Sequence, residues 1–214
     1  MTIAVFGGTG KTGRLFVAKA LAAGHKVRVL ARDPDKIAPA FGMEMIEGDA
    51  ENGGKIMLAL SGCQAVALFL GPAKGSVSNI CSLATEIILQ GMAKVGIKRL
   101  LAVTSLGVGD SVNDVPWFFK IMAATFLKGA MADKNVQESI IRASSLDWTI
   151  VRPSGLAEKE TGLSVVSGYS NMTQELESKG VKVKGTITRA ELAQYCWDRF
   201  VENDHFAKTW WVTT

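Results

Sequence analysis

The residues best suited to chemistry lie at the start of the chain, in a turn rich in glycine. Gly7, Gly10 and Gly13 recur at every third position after a short apolar run. Gly7 allows a tight turn, Gly10 lets a diphosphate approach the main chain, and Gly13 lets a helix pack closely. The polar residues between them are Thr9, Lys11 and Thr12. Because free amides and a helix dipole stabilise phosphates, the turn is predicted to bind a dinucleotide; the alternative is a purely structural turn.

Arg32 is the residue that indicates which dinucleotide binds. It ends the second apolar run, about twenty positions after the turn, where NAD-binding proteins place an acidic residue. A guanidinium there suits the 2′-phosphate of NADP instead, and Asp33 is better explained as a helix cap. The sequence therefore favours NADP(H) over NAD, with an ordinary surface arginine as the alternative.

Further cofactor contacts are predicted at residues that directly follow the later strands. An acidic side chain at Asp49 would accept a hydrogen bond from the adenine amino group, and Leu70-Gly71 would pass beneath the middle of the cofactor. The remaining predicted contacts at strand ends are Ala50, Thr104 and Pro153.

Alternating short apolar runs and helical segments indicate how these residues are positioned. Strands are predicted at residues 3–6, 27–30, 43–47, 65–70, 100–103, 148–151 and 210–212. Helices are predicted at 11–23, 52–61, 80–95, 134–144 and 188–201, the third with a buried stripe through Ile80, Ala84, Ile87, Gly91 and Val95. This order predicts an α/β fold: a Rossmann-like doubly wound parallel sheet with helices on both faces. Ligands bind such sheets beyond the carboxyl ends of the strands.

The predicted organisation is one domain over residues 1–214, with a small C-terminal substrate-side lobe. Its substrate-side elements are expected at about 106–130 and 154–187. Two local interactions are also predicted: a capping box from Thr188 to Glu191, and an ion pair between Arg152 and Glu138.

The composition and charge of the chain argue against several kinds of partner, location and metal site. A net charge of +4 without a dense basic run argues against nucleic acid as a partner, and the apolar stretches are too short to span a membrane. No signal peptide is recognised, so a cytoplasmic location is expected. The three widely spaced cysteines form no metal-ligand pattern, and we expect reduced thiols and no metal.

The chain resembles the atypical short-chain dehydrogenases/reductases, in the group of NmrA-like proteins and the flavin reductase also called biliverdin reductase B. The residues that carry the resemblance are Gly7 to Gly13, Arg32, Gly48-Asp49, Thr104-Ser105, Lys134, Glu138, the run from Leu146 to Pro153 and the run from Ile187 to Ala193.

The resemblance implies that Ser105 and Lys134 are the catalytic serine and lysine. The family tyrosine would stand four residues before the lysine, where this chain has Ala130, and neither Tyr169 nor Tyr195 has that spacing. Carbonyl–alcohol chemistry is therefore doubtful, whereas an acceptor that stabilises its own negative charge would need no tyrosine. The alternatives are a strand-end hydroxyl for Ser105 and a solvated lysine for Lys134.

An aromatic insert after the fifth strand is a candidate substrate site. Trp117, Phe118 and Met122 could form one wall of a flat apolar pocket, or they could pack as core or as a subunit contact. Residues 154–187 would form the other wall or a flap.

These observations predict an NADPH-dependent reductase of a small conjugated acceptor, such as a flavin or quinone. The alternative is a non-catalytic NADP-binding redox sensor or assembly protein of the NmrA-like type. The expected partner is the small-molecule acceptor, and the expected state is a monomer or homodimer.

Overall fold

The structure is a computed structural model, which describes residues 1–72, 79–115, 125, 127–158, 162–169, 171–179, 185–202 and 206–214. The strands in this part of the chain are β1 (Thr2–Phe6), β2 (Lys26–Ala31), β3 (Met43–Glu47), β4 (Ala65–Leu68), β5 (Arg99–Val103), β6 (Asp147–Pro153), β7 (Gly155–Ala157), β8 (Val166–Gly168), β9 (Thr186–Thr188) and β10 (Lys208–Thr213). Eight of them form one sheet in the order β3-β2-β1-β4-β5-β6-β10-β8, while β7 pairs with β9. Only β8 runs antiparallel to its neighbour in the large sheet.

The helices of the described residues are α1 (Gly13–Ala22), α2 (Gly53–Leu60), α3 (Ile80–Val95), α4 (Lys128–Arg142), α5 (Met172–Lys179) and α6 (Arg189–Val201). Short 3-10 turns cover Pro34–Lys36 and Gly109–Asn113. The first of these turns begins directly after Asp33, the position predicted for a helix cap, although Asp33 makes no side-chain cap bond.

The strands are buried on both faces because helices cover both sides of the sheet. In β1, Ala4 and Phe6 pack in the apolar core beneath α2, α3 and α4. The alternate residues Ile3 and Val5 pack in a second core beneath α1 and α6. Period-two alternation places successive side chains on opposite faces, which explains why β4 reads as a continuous apolar run. The predicted doubly wound parallel sheet is confirmed.

The buried stripe of α3 differs from the predicted one. It passes through Ile88 and Met92, while Ile87 is only partly buried and Val95 is exposed. Ile80, Ala84, Ile88 and Met92 recur every four residues, which exceeds one turn of 3.6 residues, so the buried face moves gradually around the helix and leaves Ile87 at its margin. Val95 is the last residue of the helix and lies at its exposed end. Gly91 was placed correctly, since a Cβ there would come within 2.6 Å of Leu60 in α2.

The segment at 154–187 contains β7, β8, α5 and the start of β9 in its described part. The sequence left this segment without assigned elements. Its strands are three residues long and pair with distant partners, so local periodicity gives little signal.

Two features that would bear on function are absent from the described residues. None of their helices has the length and apolar character needed to cross a membrane. They also contain no group of three or more His, Cys, Asp or Glu side chains arranged to hold a metal ion. The cysteines Cys63, Cys81 and Cys196 are free and buried.

Candidate functional site

The glycine turn joins β1 to α1 and packs against the end of β4. Gly7 has φ of +80°, and a Cβ at this position would overlap the main-chain carbonyl of Phe69. The Gly10 amide donates to the Gly7 carbonyl at 3.0 Å, and a Cβ on Gly13 would overlap that same carbonyl. Gly7 and Gly13 are therefore required by the packing of the turn itself.

Gly10 differs from these two glycines because it faces open space. A Cβ at Gly10 would meet only the Gly7 carbonyl within 4 Å. In the described structure, the amides of Thr9, Lys11 and Thr12 donate to no protein acceptor, and Thr12 makes no side-chain cap. Unpaired amides at a helix N-terminus form a site for an anion.

A cleft of about 290 Å³ opens above this turn, where the strand order reverses between β1 and β4. Its walls are Gly7, Thr9, Gly10, Leu30, Ala31, Arg32, Gly48, Asp49, Ala50, Phe69, Leu70, Gly71, Pro72 and Ile80. This crevice is the ligand position expected of an open α/β sheet. Eight of the predicted cofactor residues line it together: Gly7, Thr9, Gly10, Arg32, Asp49, Ala50, Leu70 and Gly71.

Several walls of the cleft were not predicted. Leu30 and Phe69 are apolar strand-end residues, and Ile80 begins α3. Their side chains have no chemistry to distinguish them from core residues. Only the rule that strand ends face the ligand crevice would have indicated Leu30 and Phe69.

Arg32 lies on the cleft with its side chain exposed. Within the described residues, its guanidinium forms no hydrogen bond or ion pair, whereas the neighbouring Asp33 pairs with Lys36 at 3.4 Å. Asp49 uses Oδ1 to accept the Glu51 amide at 3.2 Å, so its carboxylate retains a second oxygen for a ligand. The cleft thus offers one unpaired cation at its β2 side.

Lys11 lies beside the cleft rather than in its wall. Its Nζ is 3.5 Å from Glu158 Oε1, which also accepts from Arg189 Nη1 at 2.8 Å. The positive charges of Arg189 and Lys11 hold the pKa of Glu158 below its usual value. The ion pairs join the glycine turn to the end of β7 and the start of α6, a link between residues 147 positions apart that no local pattern indicates.

Thr104 and Ser105 extend the pairing of β5 with β6. The Thr104 amide donates to Val151 O and the Leu106 amide to Pro153 O, both at 2.9 Å, so Ser105 is held between two main-chain bonds. The half-buried Ser105 hydroxyl donates to Leu106 O at 3.1 Å. Thr104 and Pro153 are buried and do not line the cleft, so their predicted cofactor contacts remain predictions.

Lys134 is buried, with 7% of its surface exposed, and the alternative of a solvated lysine is wrong. Its Nζ donates to Leu70 O at 2.7 Å, Gln137 Oε1 at 3.0 Å and Val103 O at 3.1 Å. Burial lowers the pKa of Lys134, and the neighbouring Cys81 and Asp133 only partly oppose this. An ammonium has three donors, so these acceptors use all of them. Its catalytic role stays a prediction.

The predicted ion pair between Arg152 and Glu138 is confirmed. Arg152 Nη2 donates to Glu138 Oε2 at 2.6 Å and Nε to Oε1 at 3.0 Å, with both side chains buried. Arg152 Nη1 also lies 2.6 Å from Asp110 Oδ1. Burial would raise the pKa of Asp110, but the hydrogen bond and charge of Arg152 outweigh it, and the pKa is lowered.

The predicted substrate residues Trp117, Phe118 and Met122 lie outside the described residues.

The two tyrosines are placed where they cannot act from the cleft. Tyr169 is exposed and makes an edge-to-face contact with Trp210, and burial in α6 raises the pKa of Tyr195 to about 12. Neither lines the cleft.

The cleft fits a nicotinamide dinucleotide. Free amides at the N-terminus of α1 suit a diphosphate, the open side of Gly10 gives it room, and Arg32 supplies an unpaired positive charge.

Comparisons with known proteins agree with this geometry. Residues 7–202 match the model of a family described as NAD(P)H-binding. An uncharacterised sugar epimerase of Bacillus subtilis is 27% identical over 171 residues, which cover 76% of this chain and 75% of that protein.

Two solved structures share the fold. An anaerobilin reductase from Escherichia coli O157:H7 has a TM-score of 0.79 and 23% identity, covering 100% of this chain and 97% of that one. A short-chain dehydrogenase/reductase from Veillonella parvula, in complex with NADP, has a TM-score of 0.80 and 16% identity, covering 100% and 94%. With the family model matching most of its length, the chain belongs to the NAD(P)H-binding family.

Proposed function

We propose that this protein is an NADPH-dependent reductase that transfers a hydride to a small conjugated acceptor, such as a flavin or a quinone. The observation that carries the cofactor preference is Arg32, whose exposed guanidinium lines the cleft without a partner among the described residues. A guanidinium binds a phosphate with two parallel hydrogen bonds, and NADPH carries a 2′-phosphate that NADH lacks. The structural neighbour that binds NADP supports this choice.

The residues of the cleft divide the binding of the dinucleotide between them. The amides of the turn and the N-terminus of α1 hold the diphosphate, Arg32 holds the 2′-phosphate, and Asp49 accepts from the adenine amino group. When bound, the reduced cofactor supplies a hydride, which is two electrons and one hydrogen nucleus. Ser105, the second residue after β5, has a hydroxyl that donates to Leu106 O in this structure and would rotate to donate toward the acceptor or toward the water that delivers the proton.

A conjugated acceptor is favoured because neither tyrosine of the chain is placed to act as the acid. Ala130 lies one turn before Lys134 in α4, and neither tyrosine lines the cleft. A simple carbonyl would develop negative charge, and among the described residues that line the cleft there is no tyrosine to neutralise it. An acceptor that spreads the charge over a conjugated system requires mainly close approach in a site shielded from water. The neighbour named as an anaerobilin reductase supports the reductase class.

A second candidate function is a non-catalytic NADP-binding sensor or assembly protein. It is favoured by Ala130 at the tyrosine position and by the Lys134 ammonium, whose three donors all have protein acceptors.

The two functions are separated by mixing the purified protein with NADPH and FMN, then with a panel of quinones, and following the loss of reduced-nicotinamide absorbance. We expect oxidation by the wild-type protein and none by Gly10→Val, in which the valine side chain would fill the space open to the diphosphate. Gly129→Val is the matched control, since a Cβ there has no neighbour within 4 Å, and it should retain activity. Tight NADPH binding without oxidation of any acceptor would favour the sensor.

A further inference from the structure

Helix α4 presents an unusual buried face to the sheet. Its buried residues are Asp133, Lys134, Gln137, Glu138 and Ile141, and only Ile141 is apolar. Burying polar and charged groups is costly unless each has partners, and an apolar face would pack the helix at lower cost. Hydrogen bonds and ion pairs are directional, so a helix face whose polar groups all have partners holds those partners in defined positions.

Every polar group on this face has a partner at the carboxyl edge of the sheet or at α3. Lys134 donates to Leu70 O beyond β4 and to Val103 O at the end of β5. Glu138 Oε1 accepts from Thr104 Oγ1 at 2.6 Å and, with Oε2, binds Arg152 near the end of β6.

The same face fixes the start of α3. Asp133 accepts the Cys81 amide at 2.9 Å and the Ser82 amide at 2.8 Å, so a residue of α4 caps α3. Gln137 Nε2 donates to Thr85 Oγ1 at 3.0 Å. One helix therefore fixes three adjacent strand ends and the helix that follows β4.

Of these strand ends, only the one after β4 lines the cleft, on the side away from Arg32, and the ends of β5 and β6 follow it along the sheet. The cleft itself includes Leu70, and Ser105 lies directly after the Thr104 that Glu138 holds. In a sheet with this strand order, a dinucleotide extends across the reversal point, with its adenosine over the β2 side. The nicotinamide half then lies toward β4, β5 and β6.

We infer that Lys134 and Glu138 are positioning residues for the nicotinamide half of the site: Lys134 acts through the Leu70 carbonyl, and Glu138 through Thr104 and Ser105. This inference rests on the proposed binding of NADPH, but not on catalysis. Lys134 is thus assigned a positioning role, in which it neither contacts the cofactor directly nor transfers a proton.

The test compares a whole dinucleotide with its adenosine half. Affinities of Lys134→Met and Glu138→Gln are measured for NADPH and for adenosine 2′,5′-bisphosphate by calorimetry. We expect NADPH to bind about five- to twentyfold more weakly, the scale of a lost charged hydrogen bond, while the bisphosphate is unchanged within about twofold. NADH and ADP form a parallel pair, so the test does not depend on the 2′-phosphate.

Arg28→Met is the matched control. Arg28 also binds main-chain carbonyls, those of Leu58 and Ser61, but it does so at the end of α2, away from the carboxyl edge. It should leave both ligands unaffected. Equal weakening of both ligands by Lys134→Met, or no weakening of NADPH, would overturn the inference.

A double-mutant comparison separates positioning from independent contacts. Thr104→Val removes the hydroxyl that donates to Glu138 while keeping the shape of the side chain. If Glu138 acts through Thr104, the double variant should bind NADPH no more weakly than Glu138→Gln alone. Additive losses would contradict this route. A protein that oxidises no acceptor but shows these binding results would refute the proposed reductase and leave the positioning role in place.

Discussion

At the scale of single residues, the proposed preference for NADPH depends on Arg32. Its charge is exposed on the cleft, while the next cation along the chain, Lys36, is paired with Asp33. The position was predicted from spacing alone, and the structure adds that no described side chain competes with a ligand for the guanidinium.

Arg32→Ala should weaken NADPH binding by about 1–3 kcal/mol, because a charged hydrogen bond to phosphate is lost, and should leave NADH almost unchanged. Fluorescence titration of the two reduced cofactors measures both values. Lys36→Ala is the control, since Lys36 is a nearby exposed cation that does not line the cleft. Equal losses for NADPH and NADH would contradict the assignment of Arg32 to the 2′-phosphate.

At the scale of elements, the N-termini of α1 and α6 differ in whether a side chain caps them. In α1, Thr12 makes no side-chain cap, and in the described structure the amides of Thr9, Lys11 and Thr12 donate to no protein acceptor, which leaves the helix start open to a ligand. In α6, Thr188 and Glu191 form the predicted capping box, with Thr188 Oγ1 accepting the Glu191 amide at 3.1 Å and Glu191 Oε2 accepting the Thr188 amide at 2.9 Å. Of these two helices, the one at the cleft is the one that lacks a side-chain cap.

Thr188→Val should lower the free energy of unfolding by about 1–2 kcal/mol, because the amide of the third helical residue loses its acceptor while side-chain volume is kept. Urea denaturation measures the change. Ser139→Ala is the control: this hydroxyl donates only to a carbonyl of its own helix, Asn135 O, and its loss should change stability by less than about 0.5 kcal/mol. If the two substitutions lowered the free energy of unfolding equally, the capping box would contribute no more than an ordinary surface hydroxyl, and the prediction would be wrong.

At the scale of the whole molecule, the cleft lies where the two halves of the sheet meet. Its walls come from the ends of β1, β2, β3 and β4 and from the start of α3, so a ligand bound there contacts both halves. A ligand that binds only the folded state stabilises the entire cooperative unit.

NADPH at about a hundredfold excess over its Kd should therefore add about 2.7 kcal/mol, which for a chain of this length raises Tm by about 5–10 °C. Thermal denaturation with NADPH and with NADH at equal concentration measures the shift, and we expect the larger one with NADPH. In Arg32→Ala the two shifts should become similar. No shift with either cofactor would contradict the assignment of the cleft.

The sequence by itself determined the features that depend on neighbours in the chain. The glycine turn, the position of Arg32 and the capping box at Thr188 are set by spacings of a few residues, and alternating apolar periods were enough to predict the parallel sheet. The pairing of Arg152 with Glu138 was also predicted correctly.

Only the tertiary structure decided which side chains meet across the fold. Lys134 was expected to act on a cofactor or lie in solvent, yet it binds carbonyls 64 and 31 positions away. The link from Lys11 to Glu158 and the wall at Ile80 were likewise unpredicted. The physical reason is that local backbone preferences act over one or two turns, whereas the partner of a buried charge is set by which strand ends and helix faces the packed core brings together.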